Sequence, residues 1–386
     1  MNYYLFCLAI FFALFINTSI GAMIGFANPL YPLLPMMLYI VVTVFTTKMK
    51  YGKIPVLMLI FAVIMLLFKL SIGQVYFVEI GRLLLIPMFI YVCFDNMPVK
   101  HTITLRRLLI VFYVIYCALA IVEKVLTHHF FPVSTDIEWS SSVGMFRSAS
   151  LLWHPLAGGF FCAIFMAFLS ITKFKNNILQ IGLFFLGYIS LFCFDARGAT
   201  IVVTLVVLPY FVWEQYRMNE KMRGMIIFGV ICMMGIMVFL LVNTSLGGGR
   251  LLTKDLMDGS SQTRLDVFQF YHHYKNMDDF IWGHLDNYAF MMDALGAGGV
   301  ENGVITLILF YGILFTPFIL LFLFLLQYNS YSIYSKFHKW MLLLVFFSIG
   351  SMNPNLAHPL GWQLWLFTFF AFKPIENQKE WALRIS

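Results

Sequence analysis

The chain has 386 residues, of which 61% are apolar and 18% aromatic, and only 11% carry a charge. Soluble proteins carry about 25% charged residues, so this composition excludes an ordinary globular enzyme; apolar runs of about 20 residues exclude an alternating β-barrel. The net charge of +7 is spread over the connections between those runs, with no basic patch of the kind that binds nucleic acid.

Taken in chain order, the apolar runs predict an all-α, polytopic integral membrane protein with about twelve transmembrane helices. They cover 4–20, 29–47, 54–70, 77–95, 105–126, 151–171, 178–194, 198–213, 225–243, 301–327, 340–351 and 356–372. The first run lacks a basic n-region and a small-residue cleavage site before Asn17, so it reads as a retained span, not a signal peptide. Cys7, Cys93, Cys117, Cys162, Cys193 and Cys232 lie in or beside apolar runs without a CxxC pair, which predicts small buried hydrophobes.

Alternate connections differ in charge. With a cytoplasmic N-terminus, the inner ones hold 16 of the 25 basic residues and five of the 18 acidic ones. Basic residues beside span ends set orientation, so both termini are expected in the cytoplasm. Four segments follow: N-terminal spans over 1–126, central spans with arginine motifs over 127–243, a large outer loop over 244–300, and C-terminal spans with a tail over 301–386. A loop that long is functional or disordered. Its aromatic residues, among them Phe268, Tyr271, Phe280, Trp282 and Tyr288, favour function. LDVFQFYHHYKNM predicts a short helix along the outer surface.

Charges at span edges are expensive, which makes each a candidate for function. They gather on the outer side: Lys69, Glu79 and Arg82; Glu123 and Lys124; Arg147; Asp195 and Arg197; Arg264 and Asp266; Glu301. Three stretches stand out. FRSASLLWHPLAGG places Arg147 before a span. FCFDARGATIVV sets Arg197 in a tight connection between two spans, backed by Gly198 and Ala199. SSQTRLDVFQFY places Arg264 at the start of the surface helix, and WGH and GAGGVENGVITLILFYG follow it.

The arginine fork suits phosphate because it donates two parallel hydrogen bonds and keeps its charge. Glu301 and Asn302 open a span, where a saccharide hydroxyl could be held and deprotonated. Plainer readings stand beside these. Arg197 fits a snorkelling residue or a partner of Asp195, and Glu301 fits an acid favouring a helix N-terminus. His272, His273 and His284 lack the companion spacing of a zinc site, and no metal or cofactor is expected. His154 and His358, each before a proline, read as packing or capping residues.

In their order, these segments resemble the O-antigen ligase and polymerase superfamily of bacterial membrane glycosyltransferases. The resemblance covers roughly 145–330: RSASLLWHPLAGG, then DARGATIVV in a tight turn, then RLDVFQFYHHY in the long loop, then GGVENGVITLILFYG. It implies a GT-C-like enzyme of the bacterial inner membrane with a periplasmic large loop, and partners that are undecaprenyl-pyrophosphate-linked oligosaccharides, membrane lipid and a chain-length regulator. Carried over by motif, Arg197, Arg264 and Arg147 bind the pyrophosphate, and Glu301 or His284 is the acceptor base. The ligases often carry a histidine where this chain has GGVENG, which tilts the reading towards a polymerase. A ligase that loads lipid A core, or a flippase for the same lipid-linked oligosaccharide, are the alternatives. Charges on one face and the absence of a half-to-half repeat favour the enzyme over a transporter.

Overall fold

A computed structural model describes residues 2–12, 19–25, 33–46, 52–134, 137–138, 141, 146–172, 174, 176–218, 224, 227–229, 277–287, 290–291, 300, 302–331, 334–352, 356 and 367–373. Every regular element among them is helical. In chain order these are α1 (Asn2–Phe11), α2 (Ser19–Met23), α3 (Leu33–Thr46), α4 (Lys53–Ser71), α5 (Phe77–Ile80), α6 (Ile86–Asp95) and α7 (Val99–Leu126). There follow α8 (Pro155–Ile171), α9 (Asn177–Phe194), α10 (Arg197–Val202), α11 (Leu208–Met218), α12 (Met277–Trp282), α13 (Gly303–Ser330) and α14 (Lys336–Ser351). A wide π-turn joins α5 to α6 over Gly81–Leu85 and another joins α10 to α11 over Val203–Val207. Among the described residues, five helices are long and apolar enough to cross a membrane: Lys53–Ser71, Val99–Leu126, Asn177–Phe194, Arg197–Tyr216 and Gly303–Ser330.

The apolar runs locate these helices well, with instructive differences at their ends. α7 begins at Val99, six residues before the predicted start, and takes in Arg106, which is buried. Hydropathy marks where apolar character begins, whereas the hydrogen-bonded helix continues into a polar first turn, VKHTIT. α8 begins at Pro155, so 146–154 is an irregular stretch in front of it. The ninth predicted span, 225–243, lies almost wholly outside the described residues, and the twelfth is described only at 356 and 367–372.

The chain divides into two compact units that cut across the four sequence segments. One takes Met1–Leu105, Met257–Lys339 and Gly350–Lys373, the other Arg106–Leu256, Trp340–Ile349 and Pro374–Ser386. In the first unit α1 packs on α3, α3 on α6, α4 on α6 and α13, and α12 on α13. α4 buries Pro55, Met58, Ala62, Met65 and Lys69, one stripe at helical spacing. Its other face carries Val56, Leu57, Ile60, Val63, Ile64 and Leu67, all exposed. A helix apolar on both faces belongs in lipid, where the outward face needs no polar residues.

In the second unit α8 is the central helix, and nearly every residue along it is buried. α9, α10 and α11 pack on it. Gly158 sits where any Cβ would collide with the Tyr116 hydroxyl, and Gly159 where one would collide with the Ala196 methyl. These two glycines bring the start of α8 hard against α7 and the α9–α10 turn. Gln180 on α9 donates to the Leu169 and Thr172 carbonyls at 2.5 and 2.7 Å, closing the other end of α8. A stacked Tyr113–Phe165 pair, 3.8 Å between ring centroids, fills the space between α7 and α8.

Candidate functional site

The second unit brings two of the three arginine motifs together. Near the end of α7, Glu123 is fully enclosed. A buried carboxylate is tolerable only if donors surround it. Glu123 Oε2 accepts from the Ala149 and Ser150 N–H groups at 3.1 and 2.9 Å, and Oε1 from the Phe130 N–H at 3.3 Å. The next residue, Lys124, donates to the Phe146 carbonyl at 2.7 Å. Ser148 and Ser150 hydroxyls donate to the α7 carbonyls of Ala120 and Tyr116 at 2.7 and 2.9 Å. The run Ser-Ala-Ser is small enough to lie flat on α7 and polar enough to bond to it.

The same stretch is tied to α9 from its other side. The Ser148 N–H donates to the Cys193 carbonyl at 3.0 Å. Arg147 donates from Nε to the Phe194 carbonyl at 3.4 Å and from Nη2 to the Asp195 carbonyl at 3.3 Å. Such last-turn carbonyls lack intrahelical donors and form the negative end of a helix, where a cation is stabilised. Asp195 then takes a left-handed conformation (φ 49°), and Arg197 becomes the first residue of α10, half-buried. A cation at that end of a helix is disfavoured by the dipole, and an anion beside it would relieve the conflict. Arg147 and Arg197 therefore lie on either side of one short turn, 194–196.

The first unit holds His284, in a different setting. α13 has 28 residues but is broken at Gly312 (φ 75°, ψ 167°). Backbone groups released by a break within an apolar bundle must find other partners. The segment 277–287 supplies them. Gly283 (φ 72°) meets Gly312 backbone to backbone, and a Cβ on either would collide with the other's main chain. The His284 N–H donates to the Leu309 carbonyl at 3.0 Å, and Asn287 Nδ2 to the Leu309 and Asp279 carbonyls at 3.4 and 3.3 Å. Lys69 at the end of α4 is fully enclosed. Its ammonium donates to the carbonyls of Trp282, Gly283 (2.8 Å) and Phe310 (3.4 Å) and to Gln74 Oε1 (3.3 Å), and lies 4.3 Å from the centroid of the Tyr76 ring. Burial, together with Glu79, Asp286 and Asp279, pushes the Tyr76 hydroxyl above its usual value, so it stays protonated.

The His284 ring is half-buried. Its Nδ1 accepts from the Asp286 N–H at 3.2 Å, with Asp286 Oδ2 3.5 Å away. The shorter contact makes Nδ1 the lone-pair nitrogen, so the neutral ring carries its proton on Nε2 and presents a donor there. Trp282, one of the loop aromatics, packs its ring on Phe68 at 4.6 Å. Asn302 caps α13, its Oδ1 accepting from the Val304 and Ile305 N–H groups at 3.1 Å.

Of the five candidates, Arg147 and Arg197 thus share a turn in the second unit, and His284 lies in the first. Glu301, immediately before the Asn302 cap, and Arg264, with the surface helix predicted around it, lie outside the described residues. Among the described residues no group of three or more His, Cys, Asp or Glu side chains is arranged to hold a metal ion. His154 caps α8, its Nδ1 accepting from the Leu156 N–H at 3.1 Å. In sequence, Lys69 and Glu123 stand out only as span-edge charges, and Gly283, Asn287 and Gly312 do not stand out. The available signal was a glycine inside a long apolar run, with Pro317 five residues on. In comparisons with protein-family models, curated proteins and solved structures, the chain matches none.

Proposed function

We propose that the chain is a polysaccharide-repeat polymerase of the O-antigen ligase and polymerase superfamily, a twelve-span glycosyltransferase acting on the outer face of the bacterial inner membrane. It transfers the growing chain from undecaprenyl pyrophosphate to the non-reducing end of an incoming lipid-linked unit. The observation that carries this reading is the seating of Arg147 and Arg197 on one turn at a span end. Two arginines beside one turn at the end of apolar helices suit a pyrophosphate whose lipid tail lies among those helices. The excess of basic residues on the other connections supports an outward-facing place for that end.

The reaction asks little covalent work of the protein. The acceptor hydroxyl gives its proton to a base, its oxygen bonds to the anomeric carbon, and the bond from that carbon to the pyrophosphate breaks. The leaving group departs with the electron pair, and Arg147 and Arg197, with Arg264 from the large loop, stabilise its negative charge. Interactions of this type are worth about 10²–10³ in kcat each. Glu301 is the acceptor base. His284 suits the role less, because its lone-pair nitrogen is already engaged by the Asp286 N–H.

The test is a gel of surface polysaccharide from a strain deleted for this gene. The strain is complemented with wild type, Arg197→Ala, Arg147→Ala, Arg264→Ala or Glu301→Ala at matched membrane levels. The expected result is core bearing a single repeat in the deletion and the variants, and a ladder with wild type. Loss of all substituted core, with long undecaprenyl-linked chains accumulating, would establish a ligase instead. Single units trapped on the cytoplasmic leaflet would establish a flippase, and full ladders from all variants would remove the site assignment.

A further inference from the structure

Lys69 lies outside the proposed chemistry, yet several polar groups converge on it. We infer that Lys69 is a positioning residue: by joining the Trp282, Gly283 and Phe310 carbonyls at one ammonium, it locks the segment 277–287 into the break of α13 and fixes the half of α13 that leads back to Asn302. The inference rests on the polymerase reading only in naming what is positioned. Asn302 caps that half-helix, and Glu301, the proposed acceptor base, is the preceding residue.

Three observations support a lock over incidental packing. First, Lys69 continues the buried stripe of α4, where an apolar residue would have filled the same place without the cost of desolvating a charge. Its presence implies that the break needs a cation. Secondly, the carbonyls come from both partners of the junction, Trp282 and Gly283 from the inserted segment and Phe310 from the turn before the break. A lysine nitrogen offers up to three donors at one point, which no hydroxyl or amide side chain does. Thirdly, the junction admits no slack. Gly283 and Gly312 each hold a positive φ with their backbones in contact, and the His284 N–H is spent on Leu309. A change at Gly312 therefore changes the direction of residues 303–311, and with it the place of their N-terminus.

Lys69 touches neither substrate nor a reacting atom on this account, so it acts through α13. Removing the ammonium would loosen 277–287 and misplace the base while leaving the arginine turn of the second unit unaffected. The turnover number then falls while the Michaelis constant for the lipid-linked donor holds. A cation supplied from solution, occupying the emptied carbonyl ring, restores both order and turnover.

The experiment uses the full-length protein in lipid nanodiscs, as wild type, Lys69→Met and Lys69→Ala. Amide hydrogen exchange is followed by mass spectrometry on peptides covering 277–287 and 146–154. Both variants are expected to exchange at least tenfold faster at the His284 amide, with 146–154 unchanged. Propylammonium, but not propanol, returns Lys69→Ala towards the wild-type rate. With lipid-linked repeat units as substrate, kcat falls at least tenfold, KM moves less than twofold, and propylammonium restores kcat in Lys69→Ala. Unchanged exchange at 277–287 overturns the lock. Faster exchange with undiminished kcat overturns the positioning role. Where Lys69→Met fails to fold, Lys69→Ala prepared in propylammonium and then dialysed gives the same comparison. A wild type that makes no polymer counts against the polymerase reading alone, and the exchange data with their rescue then decide the lock.

Discussion

In the second unit a carboxylate, Glu123, gathers three backbone N–H groups, those of Ala149 and Ser150 in the stretch that carries Arg147 and that of Phe130 just after α7. In the first, an ammonium, Lys69, gathers three backbone carbonyls where a loop segment enters a broken helix. Both side chains are fully enclosed and both sit near the end of a long apolar helix. The difference in sign follows from what the irregular backbone offers. The stretch 149–150 turns successive N–H groups towards α7, whereas the end of α12 and the turn before Gly312 expose carbonyls, as helix ends and breaks do. Where backbone leaves regular structure inside an apolar bundle, the missing partners must come from the protein. A single charge of the right sign serves several of them at once.

The comparison can be broken hardest at the glycines. Gly312→Val or Gly283→Val introduces a Cβ into main chain and forces a β-branched residue to a positive φ, so a loss of about 3 kcal/mol or more is expected. Chemical unfolding of purified protein, read by tryptophan fluorescence, would measure it. Gly159→Ala needs no positive φ and clashes with the Ala196 methyl instead of with main chain, so it should cost less. Equal losses at the two sites would show that the Ala196 methyl yields no more readily than main chain does.

Glu123→Gln comes next. The amide keeps one acceptor but turns an NH₂ group towards backbone donors, which should destabilise by about 2–3 kcal/mol. In the same unfolding experiment a loss below about 0.5 kcal/mol would show that the three N–H groups find other acceptors. Arg197→Lys should leave stability within about 0.5 kcal/mol yet lower polymer yield by about 10–100-fold, because a point charge replaces a fork. Polymer formed per unit of folded protein is the readout, and wild-type yield would mean that the fork is not used. The smallest effect is expected for His154→Ala, which removes the cap of α8 at a cost of about 1 kcal/mol. A thermal shift indistinguishable from zero would mean that the α8 terminus is held by its glycine contacts instead.

Much of this architecture was legible from residue order. α4, α9 and α13 follow from hydropathy because lipid imposes it on both faces of a helix. Arg147 and Arg197 stand out because a charge against so apolar a background has few bland explanations. His154 was readable as a cap from its place before Pro155. Helix ends were less legible: α7 runs on through Lys100, His101 and Thr102, where local hydrogen bonding persists without apolar character. The junction at Gly283 and Gly312 escaped notice for a different reason. The two residues are distant in sequence, each is an unremarkable glycine alone, and only contact between their backbones gives them meaning. Lys69 stands out in sequence as a span-edge charge, but its role does not, since its carbonyl partners lie more than 200 residues further along the chain.

That separation has a consequence for synthesis. The Phe310 carbonyl lies 241 residues after Lys69. At about 5–20 residues per second, the ribosome takes about 12–50 s to travel between them. During that interval α4 is in place with an ammonium that has yet to meet its carbonyls. Completion of the first unit therefore waits for the last third of the chain, while α7 to α10 can assemble earlier from neighbouring stretches. A message cut short before residue 303 would leave Lys69 without the Phe310 carbonyl and α4 without α13.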